Sequence, residues 1–239
     1  MRTVDVLAIV PHPDDAELLC GGTLAKLARE GHRTGIIDLT RGEMGTRGSV
    51  EIRAAEAARA AQVLGVAVRE NLGLPDSGLE NQPATRKQLA VVLRRLRPQV
   101  VITMAPRGRH PDHRVTAQLV RDACFLAGVR KTDPGSEPHR PRKLLHAIAF
   151  REDNVKPTFV VDISADFETK LAAIACYESQ FEGVIQAGEV YPNGEPLADV
   201  IRHQSAHYGS LIRCAYGEPY WTQETMKVDD VMSLGVETF

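Results

Sequence analysis

The chain has only four cysteines, Cys20, Cys124, Cys176 and Cys214, far apart and without a CxxC pair. They build neither a disulfide framework nor a closed Cys-rich metal site, and three fall in helix-like patterns, where a buried thiol is the plain reading. An excess of one charge is also missing. Lys and Arg total 29 against 31 Asp and Glu, a net charge of −2 at pH 7. With no long basic tract either, nothing draws in nucleic acid or anionic lipid over a distance. An anionic substrate would need a local basic patch. No apolar run reaches the length of a membrane span, and the chain runs straight into residues 4–10 without signal-peptide architecture. These absences predict a cytoplasmic protein with neither nucleic acid nor membrane as partner. Internal repeats and low-complexity tracts are lacking too. What remains is 239 residues, 43% hydrophobic and 25% charged, which suits a single domain over residues 1–239 with a core of its own.

The first half alternates strand-like and helix-like runs. Residues 4–10 (VDVLAIV) read as a buried strand, residues 17–30 as a helix that Gly31 ends, and residues 34–39 as a second strand. A Gly-rich stretch over 41–49 (RGEMGTRGS) leads to a helix over 50–64, capped by Gly65. A third strand over 68–72 and a helix over 85–96 follow, the helix stopped by Pro98. A fourth strand over 100–104, a loop over 105–112 and a helix over 113–126 complete the half. This order predicts an α/β fold, with a Rossmann-like, mostly parallel sheet and helices on both faces in residues 1–130. The regularity stops at the proline-bearing loop 131–142. Strand-like runs over 145–150 and 158–163, helices over 166–180 and 197–214, and an aromatic segment over 216–221 then form a smaller C-terminal α/β extension. It is expected to complete the sheet and wall the active site.

Two polar clusters stand at strand ends. Pro11-His12-Pro13-Asp14-Asp15-Ala16-Glu17 follows the first strand, and His110-Pro111-Asp112-His113 follows the fourth. In a doubly wound sheet the first and fourth strands are neighbours where the winding reverses, and their carboxyl ends border the ligand crevice. His12 and Asp15, close in a turn held by Pro13, can offer a nitrogen and a carboxylate oxygen to one point, and His113 can add a third ligand. Two His and one carboxylate with an open position suit a catalytic metal. Taken singly, Asp15 and Asp112 read as helix N-caps. Caps, however, need neither the flanking His and Pro nor a doubled acid, and adjacent carboxylates repel unless a cation stands between them. His203 and His207 also have two-ligand spacing but lack the intervening acid, so they read as a packing or surface pair; His32 and His146 read as structural.

The paired motifs PHPDDAE and HPDH resemble the LmbE-like, or PIG-L, superfamily of N-acetylglucosaminyl deacetylases. The resemblance takes in the Gly-rich loop with its downstream Arg53 and the Gly73-Leu74-Pro75-Asp76 segment. It departs from the family at Pro11, where alanine is usual, a position that touches no ligand. Within the superfamily the chain looks most like the enzymes that deacetylate N-acetyl-D-glucosaminyl L-malate in bacillithiol biosynthesis. The resemblance implies a zinc-dependent (alternatively ferrous) hydrolase acting on a small N-acetyl sugar, and a homo-oligomer. It assigns His12, Asp15 and His113 to the metal and Asp14 to the general base, and it supports a His110–Asp112 pair in which Asp112 keeps the imidazole protonated. It matches Arg53 to a substrate-holding residue and Glu43 and Asp76 to positions near sugar hydroxyls. Arg140, in the Pro-rich loop, is expected to reach the same site, and Arg41, Arg47, Arg107 and Arg109 to make a basic mouth suited to malate. Competing readings are an amidase of thiol-conjugate amides, a non-haem iron oxygenase and a non-catalytic carbohydrate-binding domain. No GxGxxG follows the first strand, which argues against a dinucleotide site.

Overall fold

The computed structural model describes residues 3–149, 156–181 and 195–236. Strand β1 (Val6–Val10) turns Val6, Ala8 and Val10 to one face and Leu7 and Ile9 to the other. All five are buried, so the strand needs a helical layer on each side. Strands β2 (Thr34–Thr40), β3 (Val68–Leu74) and β4 (Val100–Met104) join it in parallel, in the order β3-β2-β1-β4. Helices α1 (Asp15–Arg29) and α2 (Val50–Val63) bring Leu19, Leu24, Ala57 and Ala60 to one face. Helices α3 (Pro83–Leu96) and α4 (Pro111–Ala127) bring Leu89, Leu93, Leu119 and Val120 to the other. The helix starts follow from local chemistry. Ser49 Oγ accepts the Ile52 N–H, and Pro83 and Pro111 open helices where a missing N–H costs nothing.

The C-terminal part completes one seven-stranded sheet. Strand β5 (Lys143–Ala147) continues the parallel set beside β4; β6 (Phe159–Asp162) and β7 (Gly217–Trp221) extend it to the order β3-β2-β1-β4-β5-β7-β6. Only β7 runs against the rest, paired antiparallel to both neighbours. Helices α5 (Phe167–Ala175), α6 (Glu178–Phe181) and α7 (Leu197–Leu211) cover this part. No helix among the described residues is long and apolar enough to cross a membrane.

Four elements differ from the sequence expectation. The helix over 166–180 is two helices. Tyr177, fully buried between them, aims its hydroxyl at Glu17, while Glu56 accepts from both the N–H and the Oγ of Ser179 and so starts α6 anew. The helix over 197–214 stops at Leu211, because the backbone of residues 214–216 packs directly on Gly209 and Arg213 turns the chain with φ 59°. The aromatic segment is a strand inserted inside the sheet. Pro219 hides this in the sequence, since proline argues against an interior strand. The predicted strand over 145–150 ends earlier, at Ala147, and Phe150 lies outside the described residues.

Candidate metal centre and active site

Because β1 and β4 are hydrogen-bonded neighbours, the turns leaving their carboxyl ends face one crevice. His12 and Asp15 come from the first turn. Proline on either side of His12 limits the backbone, and Asp14 stands at the N-cap of α1 with φ 117° and ψ −29°, a costly conformation for a residue with a side chain. His113 comes from the first turn of α4. His12 Nδ1 lies 3.0 Å from Asp15 Oδ2, and His113 Nε2 lies 3.4 Å from Asp15 Oδ1. One ligand atom from each of the three residues falls within 4.8 Å of the others. In a tetrahedral site with bonds of ~2.0–2.1 Å, ligand atoms stand roughly 3.4 Å apart.

The charges around these groups fit a cation. Asp14, Asp15 and Asp76 all act on His12. Burial alone would push its imidazole down, but the hydrogen bond and charge of Asp15, with the charges of Asp14 and Asp76, raise it to about 9. Burial opposes ionisation of Asp15 as well, yet His113 and His12 hold it well below the carboxylate range. Two imidazole nitrogens and a carboxylate oxygen match the donor set of a divalent ion, which each imidazole would bind as the neutral ring. A second overlapping set, His12, His110 and Asp112, also lies within 4.8 Å.

Asp14 is left beside the set with its carboxylate tied to Arg53 Nη2 at 2.7 Å. Burial raises it to about 7 against the pull of Arg53 and His12. Arg53 is no solvated helix residue. It is buried, and it also donates to the carbonyls of Pro13 and Gly42, while Glu51 and Glu56 bond elsewhere.

The His110–Asp112 expectation needs correcting. The carboxylate of Asp112 is hydrogen-bonded elsewhere, although one of its oxygens lies within 4.8 Å of a His110 ring nitrogen. Its Oδ2 accepts the Ser77 N–H at 2.8 Å and lies 3.3 Å from His12 Nε2. His110 instead caps α4 through its ring, with Nδ1 accepting the Asp112 N–H at 3.2 Å. A peptide N–H can only donate, so Nδ1 holds a lone pair and the proton of the neutral ring sits on Nε2. Burial and the nearby His12 and His113 push this imidazole below its ordinary range, opposite to a stabilised cation. The three rings stand close, His110 at 4.9 Å from His12 and 5.0 Å from His113 between centroids.

The residues expected near the sugar divide. Asp76 lies in the crevice, with Oδ1 3.2 Å from His12 Nε2 and Oδ2 accepting the Met44 N–H. Glu43 accepts from the N–H groups of Asp76 and Arg41. Arg140 does not reach the site within this chain. Its guanidinium stacks on Phe125 and donates to that residue's carbonyl. Phe125 is 14 residues along α4 from Pro111, about 21 Å of helix at ~1.5 Å per residue. His203 and His207 are exposed, the former 3.1 Å from Glu195. Sequence reasoning missed the Asp76–His12 and Ser77–Asp112 contacts. The only signal was the turn-forming Pro75-Asp76-Ser77 stretch at a strand end.

Residues 7–124 match the family described as GlcNAc-PI de-N-acetylase, PIG-L. Diacetylchitobiose deacetylase of Thermococcus kodakarensis is 34% identical over 229 residues, covering 89% of this chain and 80% of its own. A probable N-acetyl-alpha-D-glucosaminyl L-malate deacetylase of Bacillus cereus is 27% identical, covering 76% and 86%. Among solved structures, a conserved protein of Thermus thermophilus superposes with a TM-score of 0.84 at 40% identity, covering 95% of this chain and 98% of that one.

Proposed function

The chain belongs to the PIG-L de-N-acetylase family, and on that premise we propose that it is a divalent-metal-dependent hydrolase removing the acetyl group from a small N-acetylglucosaminide. The observation that carries this reading is the convergence of His12 Nδ1, Asp15 and His113 Nε2 beside a spare carboxylate, Asp14. Zinc suits a set of two nitrogens and one oxygen, with ferrous iron as the alternative.

An amide is a poor electrophile and water a poor nucleophile. When bound, the divalent ion supplies Lewis acidity, bringing the pKa of a water from 15.7 toward ~7 and polarising the acetyl carbonyl. This chain's residues do the rest. Asp14, held in place by Arg53, accepts the proton of the attacking water, and that proton is then available to the departing amine. His110, whose Nε2–H is set by the peptide donor on Nδ1, hydrogen-bonds the oxygen that gains charge as the carbonyl becomes tetrahedral. One such donor contributes roughly 2.7–4 kcal/mol to transition-state stabilisation.

Two aglycones have support. The exposed Arg41, Arg107 and Arg109 around the mouth favour an anionic group such as malate. The likeness to a diacetylchitobiose deacetylase favours a second sugar. Exposed apolar side chains of Val231, Met232 and Val236 support a homo-oligomer, and four unpaired thiols support a reducing, cytoplasmic setting.

Metal analysis combined with amine release from N-acetylglucosaminyl malate, diacetylchitobiose and a neutral methyl glycoside tests the proposal. We expect about one ion per chain, turnover on at least one substrate, and loss of metal and turnover together in His113→Ala. Full metal occupancy in that variant, or no turnover on any N-acetylglucosaminide, would refute it.

A further inference from the structure

His12 has two ring nitrogens, and the structure gives each a different duty. Nδ1 faces Asp15 and the metal set. Nε2 lies 3.2 Å from Asp76 Oδ1 and 3.3 Å from Asp112 Oδ2. We propose that Asp76 is a positioning residue for the ligand His12, and that it ties the Gly-rich loop to the metal centre. This rests on the reading of His12, Asp15 and His113 as ligands.

An imidazole that lends one nitrogen to a metal carries its proton on the other. A carboxylate there fixes the ring's plane and tautomer and raises its basicity. Asp112 Oδ2 is the hydrogen-bond partner of that nitrogen, and Asp76, whose side chain is only 6% exposed, stands 3.2 Å from it as a second carboxylate that holds the ring by charge. Its second oxygen is also engaged, accepting the Met44 N–H at 2.9 Å. Little of the carboxylate is left for a sugar hydroxyl, the role that family resemblance would give it.

The same turn is stapled to the loop a second time. Glu43 Oε1 accepts the Asp76 N–H at 2.9 Å and its Oε2 accepts the Arg41 N–H at 3.2 Å. One residue further on, Ser77 adopts φ 59°, and its N–H holds Asp112 Oδ2 at 2.8 Å. The turn after β3 therefore sets both carboxylates beside one ring nitrogen and the position of residues 41–44. By contrast, His113 Nδ1 is buried with no hydrogen-bond partner among the described residues. The outer support of the metal set is concentrated on His12.

Asp76→Asn tests this, because asparagine keeps the size and an acceptor for Met44 but faces the ring N–H with another donor or with an uncharged oxygen. Zinc dissociation constants are measured by chelator competition on protein whose fold is checked by circular dichroism, and kcat and KM are taken at saturating zinc. We expect zinc affinity to fall about 10–100-fold, with KM nearly unchanged. Asp112→Asn changes the hydrogen-bond partner of the same nitrogen. It is expected to weaken zinc as well, and it carries the test if the first variant does not fold. Wild-type zinc affinity with a raised KM in Asp76→Asn would mark a sugar ligand and overturn the proposal, as would unchanged affinity in both variants. A wild-type protein that binds no stoichiometric zinc would overturn the ligand assignment itself, an outcome distinct from tight binding unaffected by Asp76.

Discussion

Asp14 adopts φ 117° and ψ −29°, a conformation that side chains avoid, and it is kept there by contacts rather than by preference. Arg53 grips its carboxylate and the carbonyl of Pro13 next to it. Gly42 makes that grip possible. A Cβ at position 42 would come 2.1 Å from Arg53 Nη1, on a backbone with φ 69°, so glycine serves here both as a left-handed residue and as open space for a guanidinium. Gly42→Ala should therefore displace Arg53 and leave Asp14 free to turn. Zinc content should stay near wild type while kcat falls about tenfold or more, at 1.36 kcal/mol per decade; an unchanged kcat would show that Arg53 does not hold the base. Asp14→Asn should also retain zinc. Its kcat should fall about 10²–10⁴-fold, the range of general acid–base catalysis, and near-normal turnover would rule Asp14 out as the base.

At the scale of elements, α1 is two helical segments. Cys20 leaves helical geometry at φ −139° and ψ 16°, and the N–H groups of Gly22 and Thr23 donate to Glu218 of β7. Glu218 acts as an N-cap supplied from across the sheet, favoured also by the positive end of the second segment's dipole. Ile163 presses on Gly22, where a Cβ would come within 2.7 Å of it. Lys170 of α5 completes the buried group at 2.6 Å from Glu218 Oε1. The break matters for the site because the short first segment carries Asp15 and Glu17. The two partners are not equivalent. Glu218→Gln leaves the Lys170 charge buried without a counter-ion and should cost ~3–5 kcal/mol of stability. Lys170→Met leaves a carboxylate that still accepts from Gly22 and from Thr23 twice, so the loss should be nearer ~1.5–3 kcal/mol, one charged hydrogen bond. Urea denaturation of both variants checks the order, and the reverse order would contradict this account of the cap.

At the scale of the whole molecule, β5 and β7 join the parallel sheet to its antiparallel edge, and His146 sits at that seam. It pairs in register with Trp221, and its Nδ1 lies 2.7 Å from the Met104 carbonyl. Burial lowers its pKa from the ordinary 6.5, only partly offset by the Met104 hydrogen bond. The unfolded chain therefore takes up a proton near 6.5 that the folded protein refuses until lower pH. The stability from keeping His146 neutral is complete above 6.5 and is lost as pH falls below that value. Melting temperatures of metal-free protein should drop more between pH 7.5 and 5.5 for wild type than for His146→Gln. Equal drops would show that His146 does not contribute to the acid sensitivity.

The α/β class, the parallel order of the first four strands and the neighbouring ends of β1 and β4 were determined by the sequence alone. Hydrophobic period, caps and breakers act over a few residues, and the handed crossover rule converts their order into adjacency. For the same reason PHPDDAE and HPDH could be assigned to one crevice before any coordinates. Other features only the tertiary structure decided. Pro219 disguised β7 as a non-strand, and its slot between β5 and β6 depends on pairing with residues 55 and more positions away. Glu218 meets Gly22 from 196 residues away, and no local pattern encodes that cap. The hydrogen-bond partners of the Asp112 carboxylate, Ser77 and His12, follow from which N–H groups stand around it. Arg53 is buried and Arg140 is remote because burial and reach belong to the packed chain, where a side chain's partners are chosen by neighbours that spacing along the sequence does not reveal.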